Sequence, residues 1–302
     1  MFLVMGHGYS YTDLDSIISS VVFTELWTAG GHPAKAVLVN PNGMKESTIK
    51  ILETIGNIAL PEIVTKTELE NSNLILVDHN NPEESYGKLG INKTPYMIID
   101  HHQDIGLSAV HKIIERVGST CTLITEFGKA ERMCLTERQA RALAFGILSD
   151  TRGLKGRKTS DRDIKATQFL YNEYKIPESV ETISEMVLQT TNIQIMSVKD
   201  ILRNSLKEYQ NGSIGIAAVE VADNSYQERM GEILSYGAQM GYGLYILMII
   251  KYHVQETEIL YFDRDFLIFP KRERRDGLVS RGLDFAPEIL NRVNNLGTRK
   301  IR

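Results

Sequence analysis

The sequence holds two cysteines, Cys121 and Cys134, in 302 residues. That is too few for a disulfide framework or a cysteine-built zinc site, and it makes a reduced, cytoplasmic setting the default expectation. Both thiols are expected to be buried and inert. A single tryptophan, Trp27, lies in the first helical stretch, where packing is the expected role rather than a stacking platform. No long apolar run occurs. The longest, Leu244 to Ile250, falls far short of the roughly 20 residues that cross a bilayer, so no membrane partner is expected. Met1 to Met5 is apolar but lacks the basic leader of a signal peptide. There is no basic excess either. Lys and Arg number 34 against 38 Asp and Glu, a formal net charge of −4, which argues against an extended nucleic-acid surface. An acidic chain can still hold a polyanion if metal ions invert the local charge. A hydrophobic content of 42% excludes a disordered chain, and the length suits two domains.

The first half alternates strand and helix signals. Phe2 to Met5, Lys35 to Val39, Leu74 to Val77 and Met97 to Ile99 read as buried strands, with helices over Asp15 to Ala29 and Lys45 to Ile55 and a turn at Pro41-Asn42-Gly43. Such alternation predicts an α/β domain on a parallel sheet, over residues 1–189, with ligands at the carboxyl ends of its strands. Further helices are expected at Glu137 to Leu148, Asp161 to Tyr174 and Glu178 to Leu188, and a linker at Gln189 to Ser197. A smaller mixed-sheet α/β domain is expected over 198–302. It would contain helices at Val198 to Tyr209 and Ser225 to Gln239 and strands at Ile214 to Val221, Tyr245 to Tyr252 and Glu258 to Phe262.

Four of the seven histidines lie in short acidic motifs at predicted strand ends: Gly6-His7 followed by Asp13 and Asp15, then Asp78-His79-Asn80, then Asp100-His101-His102. Ser149-Asp150-Thr151 closes the Glu137 helix. An aspartate after a strand is commonly a turn residue or a helix cap. Four such motifs in one parallel-sheet half point instead to a metal centre. Imidazoles with carboxylates suit manganese, iron or zinc, whereas carboxylates alone suit magnesium or calcium. A carboxylate shared by two metals can serve an in-line displacement by water.

These motifs resemble the DHH phosphoesterase superfamily, and most closely its manganese-dependent (family II) inorganic pyrophosphatases and short-chain exopolyphosphatases. The resemblance rests on Asp13-Leu14-Asp15-Ser16, Val77-Asp78-His79-Asn80, Ile99-Asp100-His101-His102, Gly118-Ser119-Thr120 and Leu148-Ser149-Asp150-Thr151, in that order. It implies two Mn2+ ions, with Co2+ as a substitute and Mg2+ arriving with substrate. One ion would be held by His7, Asp13 and Asp78, the other by Asp15, Asp78, His101 and Asp150, with Asp78 bridging. His102 would face the substrate, and Asp100 would orient the ligands. Lys207, before Asn211-Gly212, and Arg281, in Val279-Ser280-Arg281, match the phosphate-binding positions of the family's C-terminal domain. With Asp78 and His102 they complete the implied catalytic set. The resemblance also implies a homodimer through an edge strand of the first domain.

Two departures stand out. His7 and Asp13 are six positions apart, with a loop two residues longer than the family's, so either the extra residues bulge outward or His7 no longer ligates. Gly282 replaces the family lysine after the arginine, which widens the substrate question from pyrophosphate to short polyphosphate. The basic run Lys271 to Arg275 is either a solvated loop or a rim for a longer substrate. The expected function is release of orthophosphate from pyrophosphate or short polyphosphate. The alternatives are a phosphodiesterase or nucleotide phosphatase, with Tyr9, Tyr11 and Trp27 stacking on a base, and a non-catalytic sensor of a phosphorylated ligand.

Overall fold

The computed structural model describes residues 1–8, 12–40, 46–56, 58–189, 193–194, 196–221 and 223–299. The chain divides into two compact units, Met1–Val187 and Leu188–Arg302.

The first unit is built on a six-stranded sheet: β1 (Phe2–Met5), β2 (Ala34–Leu38), β3 (Glu62–Ile63), β4 (Asn73–Val77), β5 (Met97–Asp100) and β6 (His111–Ile114). Their order is β3-β2-β1-β4-β5-β6, and every pairing is parallel. The central strands are apolar at every position because both faces are covered. Val4, Ile75, Val77, Met97 and Ile99 join the larger core. Leu3, Met5, Leu74, Leu76 and Ile98 alternate to the opposite face. The chain runs outward from β1 to β3 and then restarts beside β1 with β4. The β1–β4 pair is therefore the point where winding reverses and where such sheets open a crevice.

Seven residues of α1 (Leu14–Ala29) bury apolar side chains, and Ser16, Ser19 and Ser20 are buried with them. The small residues are what let α1 lie close to α4 (Thr120–Ala130) and α5 (Glu137–Asp150). At Gly146 of α5 a Cβ would collide with Cys121 Sγ of α4. Thr136 and Gln139 form a reciprocal capping box that starts α5. The remaining helices of the unit are α2 (Glu46–Ile55), α3 (Lys66–Glu70), α6 (Asp161–Glu173) and α7 (Val180–Gln189).

The second unit carries α8 (Val198–Arg203), β7 (Lys207–Tyr209), β8 (Ile214–Val221), α9 (Met230–Gly237), β9 (Leu244–Lys251), β10 (Glu256–Asp263), β11 (Arg272–Asp276) and α10 (Ala286–Arg299). Its sheet order is β11-β10-β9-β8-β7, parallel only between β8 and β9. Ala217, Val219, Tyr245 and Leu247 pack on one face with Ile201 and Ile233. Ile214, Ile216, Ile246 and Met248 pack on the other with Phe285 and Ile289. The α/β reading with a parallel first sheet and a smaller mixed second sheet is what the structure shows.

Several local expectations are corrected. The helix expected through Tyr209 stops at Arg203. Asn204 pairs twice with Ala218 of β8 (Ala218 N to Asn204 O and Asn204 Nδ2 to Ala218 O, both 3.0 Å), and Ser205 turns left-handed at φ 50°. Lys207 therefore sits on an edge strand. The Ser225 stretch begins as a 3-10 turn to Arg229 and is α-helical only over Met230–Gly237. The basic run is not a loop. It is β11, where Arg272 pairs with buried Glu258, and Arg275 pairs with Glu273 and Glu288. Cys134 is exposed in the turn between α4 and α5, whereas Cys121 is buried. Trp27 stacks on His32 and Phe23, at 4.6 and 5.5 Å between ring centres, which spends its faces on packing. The Pro41 turn, Tyr9 and Tyr11 lie outside the described residues, as does much of the Gln189 to Ser197 segment. Among the described residues no helix is long and apolar enough to cross a membrane.

Candidate metal centre

Three strand ends and two helix ends converge beside the β1–β4 crevice. β1 runs into His7, β4 into Asp78, and β5 ends at Asp100 with His101 and His102 following. Asp13 caps α1, and Asp150 is the last residue of α5. Ligand atoms of His7, Asp13 and Asp78 lie within 4.8 Å of one another, as do those of Asp15, His101 and Asp150 and those of Asp78, His101 and His102.

Asp78 joins the groups. Its Oδ2 is 3.4 Å from His7 Nε2, and its Oδ1 is 3.3 Å from His101 Nε2. The residue adopts φ 63°, a left-handed conformation that costs a non-glycine residue free energy and is tolerated where the surroundings over-determine it. Its amide donates to Ile99 O at 2.9 Å, and Thr120 Oγ1 donates to Oδ1 at 2.9 Å.

Asp13 divides its carboxylate. Oδ1 accepts the Ser16 amide at 3.0 Å and so caps α1, while Oδ2 faces His7 Nε2 at 3.2 Å. The turn reading and the site reading of this residue are both realised, one on each oxygen. His7 sits in the cluster despite the longer loop.

His101 tests whether the site suits a metal. Nδ1 is 3.1 Å from Val117 O, a carbonyl that can only accept, so Nδ1 carries a proton and Nε2 is the nitrogen left to take a cation, whether a proton or a metal. Nε2 is buried, lacks a hydrogen-bond partner among the described residues and lies 3.3 Å from Asp150 Oδ2 as well as from Asp78. A buried imidazole nitrogen facing two carboxylates fits a cation between them. His79 lacks that capacity. Its Nδ1 is 3.0 Å from Val77 O and its Nε2 is 2.7 Å from Ser85 Oγ, so both nitrogens are spent. His102 Nδ1 is 2.8 Å from Asp100 Oδ1, and the ring is partly open to solvent.

Asp15 is fully buried at the first turn of α4. It accepts Ser119 Oγ at 2.8 Å, Thr120 N at 2.8 Å and Cys121 N at 3.0 Å. A helix N-terminus is where a buried carboxylate is best stabilised. The Gly118-Ser119-Thr120 motif is thus the cradle of Asp15 and the prop of Asp78. Behind it stands Asp163, a residue the sequence reading missed. It accepts from Gly118 N at 2.8 Å, Thr122 Oγ1 at 2.6 Å and Ser160 N at 2.7 Å. The spacing Ser160-x-x-Asp163 signals a capping box at the start of α6, but nothing local reveals its reach back to Gly118.

The electrostatics are those of carboxylates crowded together in a buried site. Burial and the charges of Asp78 and Asp150 hold the Asp15 carboxyl well above the usual range. Burial and the Asp13 charge hold Asp150 up at about 6. Burial opposes charging of His101, yet the Asp78, Asp150 and Asp15 carboxylates override it and push its pKa to about 10. His7 is raised well above its ordinary value in the same way by Asp13 and Asp78, against burial.

Lys207 and Arg281 belong to the second unit. Lys207 is exposed on β7 and shares a sheet face with Tyr209, two positions on. Arg281 is half-buried and begins a π-helical turn, Arg281–Phe285, capped by Ser280. Burial raises the Tyr209 hydroxyl pKa and the nearby Arg281 charge opposes the rise, so the two residues are neighbours.

Residues 1–147 match the model of the DHH family, N-terminal domain. The match lies wholly within the first unit, Met1–Val187. A Lactobacillus delbrueckii protein designated a probable manganese-dependent inorganic pyrophosphatase is 27% identical over 95% of this chain and 97% of its own length. A Schizosaccharomyces pombe protein provisionally designated an exopolyphosphatase is 27% identical over 94% of this chain and 80% of its own. A Methanococcus jannaschii crystal structure, provisionally designated a family II inorganic pyrophosphatase, superposes with a TM-score of 0.75 at 24% identity, covering 95% of this chain and 97% of that one. That likeness extends the shared fold beyond the DHH domain into the second unit.

Proposed function

We propose that the chain is a metal-dependent phosphoanhydride hydrolase that releases orthophosphate from pyrophosphate or short polyphosphate. The observation that carries this reading is Asp78, whose two oxygens face two histidines in two separate ligand groups. In this reading His7, Asp13 and Asp78 hold one ion, and Asp15, Asp78, His101 and Asp150 hold the other. The mixed nitrogen and oxygen donors suit Mn2+, with Co2+ as a substitute and Mg2+ carried in by the substrate. Bound ions would supply an activated water at neutral pH and neutralise charge on phosphate oxygens.

The chain's own residues do the rest. Asp78 orients both groups. Asp100 fixes the His102 ring through Nδ1, leaving Nε2 to face a phosphate oxygen and to donate a proton as the anhydride breaks. Lys207 and Arg281 bind phosphate oxygens, the arginine through its planar fork. Residues 1–189 act as the metal-holding catalytic domain and 198–302 as the substrate-binding domain. A cytoplasmic location and a homodimer through an edge of the first sheet go with this reading. The manganese-dependent pyrophosphatase and exopolyphosphatase names of the relatives support it. Base stacking by Trp27 is disfavoured by its packed ring, which weakens the nucleotide alternative.

The test is orthophosphate release by the purified chain with Mn2+, Co2+ or Mg2+, given pyrophosphate, tripolyphosphate and a nucleotide panel in parallel. Turnover of the inorganic substrates with Mn2+ is expected. Tight phosphate binding without release under any of the three metals would leave the sensor reading in its place.

A further inference from the structure

The segment between α5 and α6 holds Arg152, Lys155, Arg157 and Lys158 within seven positions and no acidic residue from Thr151 to Ser160. It begins at the residue after Asp150 and is tied back on itself. Gly153 N donates to Leu148 O at 2.8 Å, and Gly156 N donates to Thr151 O at 2.8 Å. Thr159 N donates to Gly156 O at 3.0 Å, and Thr159 Oγ1 donates to Thr151 O at 3.3 Å. A Cβ at Gly156 would lie 2.9 Å from Thr151 O, so the loop closes as tightly as glycine allows. Arg152, Gly153 and Leu154 all take left-handed conformations, at φ 58°, 64° and 63°. Such a run is tolerated only where the surrounding bonds hold it.

The Thr159–Thr151 bond makes their chain neighbours, Lys158 and Asp150, neighbours too. Asp163 fastens the far end. The carboxylate that accepts from Ser160 also accepts from Gly118, at the start of the turn that holds Asp15. One side chain thus ties the basic loop and the metal-ligand cradle into a single piece. The Lys158 ammonium acts on the Asp150 carboxyl, opposing the upward push of burial. It makes no hydrogen bond or ion pair within 4.0 Å among the described residues. The cluster is closed at Asp78 and His101, whose side chains are 1% exposed, and open at Asp150 and His102, at 21% and 42%. Lys158 is itself exposed, and its charge reaches Asp150, one of the open members.

The chemistry then has a gap to fill. Asp13, Asp15, Asp78, Asp100 and Asp150 carry more negative charge than two divalent ions neutralise, and the substrate is itself a polyanion. From these placements we infer that Lys158 is a phosphate-binding residue at the mouth of the metal centre, contributed by the first unit itself. This rests on the hydrolase reading for the identity of the substrate, but the placement of the cation does not depend on turnover. The loop holds the Lys158 backbone in place, so little backbone freedom remains to be lost when phosphate arrives.

The experiment compares wild type with Lys158→Ala and Lys158→Arg, all loaded with Mn2+. The three readouts are orthophosphate affinity by calorimetry, KM for pyrophosphate and Mn2+ affinity of the metal-free chains. A charge-assisted hydrogen bond lost from the site predicts orthophosphate binding and KM weakened about tenfold or more in Lys158→Ala, with recovery in Lys158→Arg. Mn2+ should bind Lys158→Ala as tightly as wild type or more tightly, because a repelling cation has gone. A structural role predicts the opposite, a joint fall in melting temperature and Mn2+ affinity, and would overturn the assignment. So would unchanged orthophosphate affinity. If wild type hydrolyses nothing yet binds orthophosphate more tightly than Lys158→Ala does, the hydrolase reading fails while Lys158 keeps its role. If Mn2+-loaded wild type binds no orthophosphate, both fail.

Discussion

Asn80 Nδ2 donates to Asp100 Oδ2 at 2.6 Å, joining the two Asp-His motifs across twenty residues of chain. The same amide group donates to Gln103 O at 3.0 Å, and Asn80 Oδ1 accepts the Ile105 amide at 2.9 Å. Asn80 is almost fully buried, so each of these bonds is made in a medium where leaving one unmade is costly. Asn80→Ala should destabilise the chain by about 1–3 kcal/mol, the range for a stranded buried polar group. Asn80→Asp should cost more, because it sets a second carboxylate against Asp100. Urea denaturation of the metal-free proteins checks the order. An Asn80→Asp variant as stable as wild type would mean that this contact does not tie the motifs.

The shared carboxylate makes a sharper demand. Asp78→Asn keeps the shape but removes the charge that faces both His7 and His101. Mn2+ binding should weaken at two sites together, by about a hundredfold or more, and orthophosphate release should fall to background. Calorimetric titration counts the sites directly. Loss of one site with the other at wild-type affinity would show that Asp78 serves a single ion.

Proton release is the expected signature of metal binding. In the metal-free chain, carboxylates hold His101 at about 10 and His7 well above its ordinary value, against the opposing effect of burial. Near pH 7.5 the His101 ring therefore carries an extra proton that a metal must displace, and His7 is shifted in the same direction. Each displaced proton weakens Mn2+ affinity about tenfold for every unit by which the pH is lowered. The apparent enthalpy of binding should differ between buffers of different ionisation enthalpy, by an amount that counts one to two protons. An enthalpy independent of buffer would remove the raised histidines from the account.

Much of this was readable from local sequence, for a physical reason. Strands buried on both faces must be apolar at every position, so β1, β4 and β5 announce themselves, and so do the polar residues that interrupt them at their carboxyl ends. β6 gave no such signal. It is a half-exposed edge strand of mixed residues, stabilised by its pairing with β5 rather than by any pattern of its own. The helix at Val198 was read too long because Asn204 ends it through a bond to Ala218, fourteen residues away. The candidate site divides the same way. His7, Asp13, Asp78, His101 and Asp150 stand in short motifs that can be seen one at a time. The parts that hold them, Asn80 on Asp100, Thr120 on Asp78 and Asp163 on Gly118, join residues 20 to 45 positions apart. No periodicity records such a pairing.

Helix contact offers a test of that supporting layer. A Cβ at Gly146 would collide with Cys121 Sγ and approach Asp15 Oδ1 to 3.4 Å, so the α4–α5 contact admits only glycine here. Gly146→Ala should cost about 1–3 kcal/mol by overpacking. It should also weaken Mn2+ binding, since the Cys121 amide is one of the donors that hold Asp15. Adding Cys121→Ala vacates the space while keeping the amide, so the double variant should recover both stability and metal affinity. A double-mutant cycle measures the coupling. Additive losses would mean that Gly146 is required for some other reason.

The basic run on β11 is the place where composition alone misdirects. Arg272 lies beside Glu258, a fully buried carboxylate that also accepts Tyr226 Oη at 2.8 Å and sits 3.4 Å from Lys251 Nζ. Arg275 makes a two-pronged contact with Glu288 at 2.7 and 2.9 Å and so ties the edge strand to α10. These cations are already engaged by the chain's own acids, and a substrate would have to displace them. Arg272→Ala should therefore act on stability, lowering it by about 1–3 kcal/mol, because Glu258 keeps its burial but loses a counter-charge. Glu258→Gln, combined with Arg272→Ala, should recover part of the loss. KM for pyrophosphate and for tripolyphosphate should stay at the wild-type value in Arg272→Ala at temperatures where it is folded. A rise in KM for tripolyphosphate alone, with stability unchanged, would return this strand to the substrate rim.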